Sequence, residues 1–290
     1  MEYKQLGAIA DDSVATGAAE LLTALKRPPT LCRLTLRRFE TLVLDTGGDG
    51  EAVLLLHALG CDHRMWLPLL APLAQRHRVV APDLRFHASA TGAPLAASLD
   101  ELALDATSVL DALGIGHAII GGISMGGAVA QHLALLAPRR VSRLWLIATV
   151  ATGFPAMIER AEAGKRDGIA AQVPPTLARW FTPLALAANG WGVRYARCAL
   201  ASMTPRDWDA AWRALATVSA FERLPELGMP TLLVAGSEDR SIPPASMQSM
   251  ADRIAGASFE LLPGTPHMMS LETPDRLADL LLAHLTSDLL

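Results

Sequence analysis

Ser124 stands in the run Gly121-Gly122-Ile123-Ser124-Met125-Gly126-Gly127, between the apolar stretch Ala118-Ile119-Ile120 and a helical stretch, 128–136, that ends before Pro138. Gly-x-Ser-x-Gly at a strand-to-helix junction predicts a sharp turn that lifts the serine hydroxyl out of a sheet. A hydroxyl is a weak nucleophile at neutral pH and needs a base. An imidazole can take its proton, and a carboxylate can hold that imidazole in the right tautomer. The chain order for such a turn is serine, acid, histidine. Asp239 follows the apolar run 231–235 in Ala235-Gly236-Ser237-Glu238-Asp239, with Glu238 as its competitor. His267 follows the run 259–262 in Gly264-Thr265-Pro266-His267. His57, His63, His87 and His132 are rival bases by type, but none follows the acid. The sequence reading therefore takes Ser124 as nucleophile, Asp239 as acid and His267 as base.

Acyl transfer through such a group also needs donors for the developing oxyanion. The backbone N–H of Met125, just after the serine, is one expected donor, and that of Leu59, in Leu55-Leu56-His57-Ala58-Leu59-Gly60, is the other. No His-Glu-x-x-His or paired-cysteine pattern occurs, so a metal centre is not expected. Cys32, Cys61 and Cys198 are too scattered for a disulfide framework and are read as buried free thiols.

These residues require a scaffold of strands that end at one edge. Leu42-Val43-Leu44, Ala52–Leu56, Val79-Val80, Ala118-Ile119-Ile120 and the runs 144–147, 231–235 and 259–262 have strand length. Several are continuously apolar, as expected of a mostly parallel sheet buried on both faces. A helix is predicted over 98–113, with Ser98 and Glu101 in capping-box spacing and Gly114 as its left-handed stop. Strands alternating with helices imply a doubly wound α/β fold. Strand signals vanish from 150 to 229, where Ala-, Arg- and Trp-rich helical stretches are broken at Pro174-Pro175, Pro183 and Pro205. This segment is read as an inserted helical cap between two core segments, 33–149 and 230–290. Residues 1–32 are read as an N-terminal extension with a helix over 13–26.

At 290 residues the chain has room for one α/β core with an insertion. The apolar fraction is 51%, but no run approaches the roughly 18 residues of a membrane span. The start Met1-Glu2-Tyr3-Lys4-Gln5 lacks the pattern of a secretory leader, so a cytoplasmic location is expected. A net charge of -4 argues against nucleic acid as a partner. The expected partner is a small-molecule substrate, with no membrane association and with a homodimer left open.

Taken together, the stretches His57-Ala58-Leu59-Gly60, Arg64-Met65-Trp66, Gly122-Ile123-Ser124-Met125-Gly126-Gly127, Arg179-Trp180-Phe181-Thr182-Pro183 and 236–244 resemble the α/β-hydrolases. Within them the chain is most similar to the 3-oxoadipate enol-lactonases and their relatives, from about Val43 to its end. The resemblance implies an α/β-hydrolase fold and a cofactor-independent lactone or ester hydrolase. It assigns Ser124, Asp239 and His267 the same three roles. Because enol-lactones carry a free carboxylate, it directs attention to Arg179 and Arg64 as pocket cations, with Trp66, Phe86 and Trp180 as further substrate contacts. An arginine-rich cap could equally admit a neutral ester. Relatives carry Asp-x-Arg-Gly-His-Gly-x-Ser where this chain has Asp83-Leu84-Arg85-Phe86-His87-Ala88-Ser89-Ala90, so the loop is expected to take another path or carry a bulkier wall. Rival readings on the same fold are a carbon-carbon bond hydrolase, a thioesterase, a cyclising enzyme or a non-catalytic ligand receptor.

Overall fold

The computed structural model describes residues 12–96 and 98–286; the opening residues Met1 to Gln5, read above for a leader, lie outside them. The strands are β1 (Thr30–Leu36), β2 (Phe39–Asp45), β3 (Ala52–Leu56), β4 (Arg78–Pro82), β5 (Ala118–Ile123), β6 (Val141–Ile147), β7 (Thr231–Gly236) and β8 (Ser258–Leu262). They form one sheet in the order β1-β2-β4-β3-β5-β6-β7-β8. β1 and β2, and β2 and β4, run antiparallel, and every other pair is parallel. β3, β5 and β7 are buried along their whole length, which is why their sequences are apolar without alternation.

The helices are α1 (Asp12–Thr23), α2 (Leu67–Leu73), α3 (Leu99–Ala112), α4 (Met125–Leu136), α5 (Ala156–Asp167), α6 (Ile169–Trp180), α7 (Pro183–Ala188), α8 (Trp191–Ala201), α9 (Pro205–Ala216), α10 (Pro244–Ala251), α11 (Met269–Glu272) and α12 (Pro274–Thr286). Helices α5 to α9 all fall between β6 and β7, where strand patterning is lost from the sequence. None of the described helices is long and apolar enough to cross a membrane.

Local differences from the sequence reading have physical causes. β1 was not expected: its apolar residues alternate with Arg33 and Thr35, and it pairs along one edge only, so it lacks a continuous apolar run. It begins at Thr30, inside the segment read as a helical extension. Pro174 and Pro175 do not break the cap but sit inside α6, whereas Pro183 and Pro205 open α7 and α9 at first-turn positions, where a missing N–H costs nothing. The expected capping box at Ser98 does not form through side chains. The Leu99 N–H instead donates to Thr217 Oγ1 at 3.0 Å, a cap supplied from the far end of the insertion. Gly114 has the expected positive φ, at 67°. Of the three cysteines only Cys61 is buried, while Cys32 and Cys198 are partly exposed.

α1 packs against both α2 of the core and α8 of the insertion. The Trp191 indole, stacked on Tyr195, donates to the Val14 carbonyl at 3.0 Å, so the N-terminal helix bridges the two parts of the molecule.

Candidate active site

The turn at Ser124 is built from close approaches. A Cβ on Gly122 would fall on the Gly126 carbonyl, and one on Gly126 would fall on the Leu56 carbonyl, so helix α4 lies against strands β5 and β3 this closely only because both are glycine. Ser124 is held at φ 55° and ψ -117°, a backbone conformation that costs a non-glycine residue about 1–3 kcal/mol. Its N–H donates to the Ile147 carbonyl (2.9 Å), and its carbonyl accepts from Ala128 N–H (3.1 Å) and Thr149 Oγ1 (2.6 Å). The strain is thereby fixed by β6 on one side and α4 on the other.

Asp239 and His267 lie past the ends of β7 and β8. The His267 Nδ1–H donates to Asp239 Oδ2 at 2.8 Å, and both side chains are 1% exposed. An ionised carboxylate only accepts, so the proton sits on Nδ1 and Nε2 is left as an acceptor. The other carboxylate oxygen accepts from the Ser241 and Ile242 amides at 2.7 and 2.9 Å, which fixes its plane. The competing Glu238 is exposed. Ser124, His267 and Leu59 line one enclosed cavity, and Met125 is the first residue of α4 beside it. The sequence rivals are held elsewhere: His63 by Asp83 (2.7 Å), His132 by Asp100 (2.6 Å) and His87 by the Arg85 carbonyl (2.9 Å). His57 accepts from the Leu84 N–H through Nε2 and donates from Nδ1 to the Ala58 carbonyl, both at 2.8 Å, and so staples the Leu59 loop to the loop after β4. Burial lowers the affinity of His57 and His87 for a proton, the latter to a pKa of about 3.

Three expected substrate contacts are not in the cavity. Arg64 is buried against Asp62, donating from Nε at 2.9 Å and Nη2 at 2.5 Å, and its charge is spent there. Trp66 and Phe86 are fully buried in the core, away from the cavity lining. Phe86 and Ala88 adopt φ 76° and 41°, so the chain keeps glycine-like angles without glycine. Asp62, His63 and Asp83 bring three ligand-type atoms within 4.8 Å of one another. Their oxygens are already engaged: those of Asp62 by Arg64 and Tyr195, those of Asp83 by His63 and Ser89. Burial opposes charge on both partners of the His63–Asp83 pair. Their mutual attraction outweighs it, holding Asp83 below the usual carboxylate range and His63 above the usual imidazole range. The group reads as a compensated ion-pair cluster behind the Leu59 loop.

Arg179 and Trp180 do reach the cavity, from the end of α6. The Trp180 ring lies 6.5 Å from that of His267, and its carbonyl accepts from the Met268 N–H at 3.1 Å, tying this wall to the base loop. Sequence reasoning missed Phe154, Arg160, Trp212 and Ser241, which line the same space. The Arg160 guanidinium lies over the Trp212 ring at 5.1 Å and the Phe154 ring at 5.8 Å. Neither Arg160 nor Arg179 forms an ion pair among the described residues. Burial, then the repulsion of Arg160, lowers the Arg179 pKa to about 10, and burial lowers that of Arg160. Among the described residues, Trp212 Nε1 and Ser241 Oγ are buried without a hydrogen-bond partner. An arginine-aromatic pattern on α5 and α9 was the available signal, but helical phase alone does not tell which arginines turn inward.

A family model described as the alpha/beta hydrolase fold matches residues 51–274, and the chain belongs to that family. It is 30% identical over 250 residues to 3-oxoadipate enol-lactonase 1 of Acinetobacter baylyi ADP1, covering 84% of this chain and 92% of that one. The enol-lactonase structure from Burkholderia xenovorans LB400 superposes with a TM-score of 0.85 at 25% identity, over 88% of this chain and 100% of that one. A thermophilic esterase from Thermogutta terrifontis, solved with malate bound, gives a TM-score of 0.82 at 27% identity, over 89% and 98% of the two chains.

Proposed function

We propose that this protein is a serine hydrolase that cleaves a small, negatively charged carboxylic ester or lactone through an acyl-enzyme. The observation that carries the reading is the buried His267–Asp239 hydrogen bond, with His267 and a strained Ser124 lining one cavity. Ser124 Oγ attacks the carbonyl carbon while His267 Nε2 takes its proton, and Asp239 steadies the imidazolium without itself becoming protonated. The Met125 and Leu59 amides receive the oxyanion, each worth roughly a hundredfold to a thousandfold in rate. His267 then gives its proton to the leaving oxygen, and water repeats the cycle to free Ser124.

The charge preference rests on Arg160 and Arg179. Two guanidiniums partly withdrawn from water, and left without a carboxylate, are costly unless an anion completes them. The unpartnered Trp212 Nε1 adds a further donor beside them. The relatives named for an anionic lactone and solved with malate are consistent with such a substrate. Steady-state hydrolysis of carboxylate-bearing esters and lactones by the purified protein, compared with Ser124→Ala, tests the reading. We expect turnover by the unmutated protein and loss of at least about 10⁴-fold in kcat in the variant. Equal rates in the two proteins would overturn it.

A further inference from the structure

The cavity that Ser124 and His267 line has a volume of about 30 Å³, room for one or two water-sized particles, since each needs roughly 10–15 Å³. Its wall is unevenly charged. Arg160 and Arg179 line it, and no carboxylate does. The exposed Glu159 acts on Arg160 through its field but forms no ion pair with it. Asp239, the buried carboxylate of the site, already accepts from the His267 ring and from the Ser241 and Ile242 amides.

Donors around this space outnumber the acceptors they are given. A guanidinium carries five N–H groups. Arg179 commits Nη2 to Thr176 Oγ1 at 3.1 Å. Arg160 lies over the Trp212 and Phe154 rings, which attract its charge without supplying an oxygen acceptor, and among the described residues its side chain has no hydrogen bond. Trp212 Nε1, on the same wall, is a buried donor with no acceptor among the described residues. Like charges brought together in a small space repel. After burial, the Arg160 charge is the reason that the Arg179 guanidinium holds its proton less firmly than usual.

We infer that this space is a binding site for one monatomic halide ion, chloride being the common one, held by the Arg160 and Arg179 guanidiniums and the Trp212 indole N–H. Chloride is close to water in size, accepts hydrogen bonds from any direction and carries the negative charge that the two guanidiniums lack. It compensates the arginine pair when no substrate is bound. Sulfate and gluconate are too bulky for the space. Any larger ligand, an ester substrate included, enters only as the wall gives way, so the halide site belongs to this arrangement of the walls. The inference goes beyond the proposed reaction and does not need Ser124 to be a nucleophile.

Broadening of the chloride NMR line by the full chain, at an ionic strength held constant with sodium gluconate, tests this. We expect broadening that bromide reverses and that sulfate at equal ionic strength does not. The affinity titrated from it should fall by about tenfold or more in each of Arg160→Gln, Arg179→Gln and Trp212→Phe, since each removes a charge-assisted hydrogen bond. Ser124→Ala should bind chloride as the unmutated protein does. Absence of broadening, sulfate that reverses it as well as bromide does, or an affinity unchanged in any of the three variants would each overturn the halide site. The comparison of bromide with sulfate needs no variant, so it decides even where one of them fails to fold. Broadening by a protein whose Ser124 is never labelled by a fluorophosphonate would keep the halide site and remove the serine-hydrolase reading. Labelling without broadening would do the reverse.

Discussion

The two walls of the cavity are made in different ways. The sheet wall carries Ser124, His267, Asp239 and Leu59 on short connections just past strand ends, with Ser124 and Asp239 held by main-chain hydrogen bonds. The insertion wall carries Arg160, Arg179, Trp180 and Trp212 on helices α5, α6 and α9, with long side chains that reach inward. Backbone geometry sets what reaction the site can run, and side-chain reach sets which molecule it accepts. The first is rigid and local in sequence. The second depends on how whole helices are rotated over the sheet.

Separate failure of the two walls is the way to test this contrast. Asp239→Asn damages the sheet wall without changing its shape, and we expect kcat to fall by about 10⁴-fold with little change in KM, because the imidazole is left in the wrong tautomer. Equal losses in binding and turnover would mean that the carboxylate also contacts substrate. Arg160→Ala or Arg179→Ala damages only the insertion wall. For a carboxylate-bearing ester kcat/KM should drop by about 10- to 100-fold, each lost charge-assisted hydrogen bond being worth roughly 1.5–3 kcal/mol. A neutral ester of the same size should lose less than about threefold, and a loss as large as that of the anion would show that the arginines are structural. The smallest effect belongs to the support behind the sheet wall. Ala88 is exposed at φ 41°, so Ala88→Gly should relieve left-handed strain and raise stability by about 0.5–1 kcal/mol after the added unfolded-state entropy, read as a small upward shift in Tm. A lower Tm would mean that the loop is not strained there.

The same division explains what could be read from the sequence. The central strands, the glycine turn, Asp239 and His267 were legible because each is marked by local chemistry: a continuous apolar run, a glycine where backbones touch, an acid or histidine at a fixed distance past a strand. Arg64 misled because its neighbour Asp62, two residues away, folds back onto it as a bidentate partner. Phe86 misled as a substrate contact because its ring, carried at an unfavourable φ, is buried in the core and not in the cavity wall. Arg160 and Trp212 were invisible because they converge from helices 52 positions apart in the chain. The Thr217 cap on α3 is equally non-local, and no window around Ser98 contains it.

The proposed acyl transfer requires Ser124 to be the activated nucleophile. Incubation with a fluorophosphonate followed by peptide mass spectrometry measures this directly. We expect one covalent adduct on the peptide containing Ser124, strongly slowed in His267→Ala and absent in Ser124→Ala. An unmodified Ser124 peptide, or an adduct formed equally fast without His267, would contradict it.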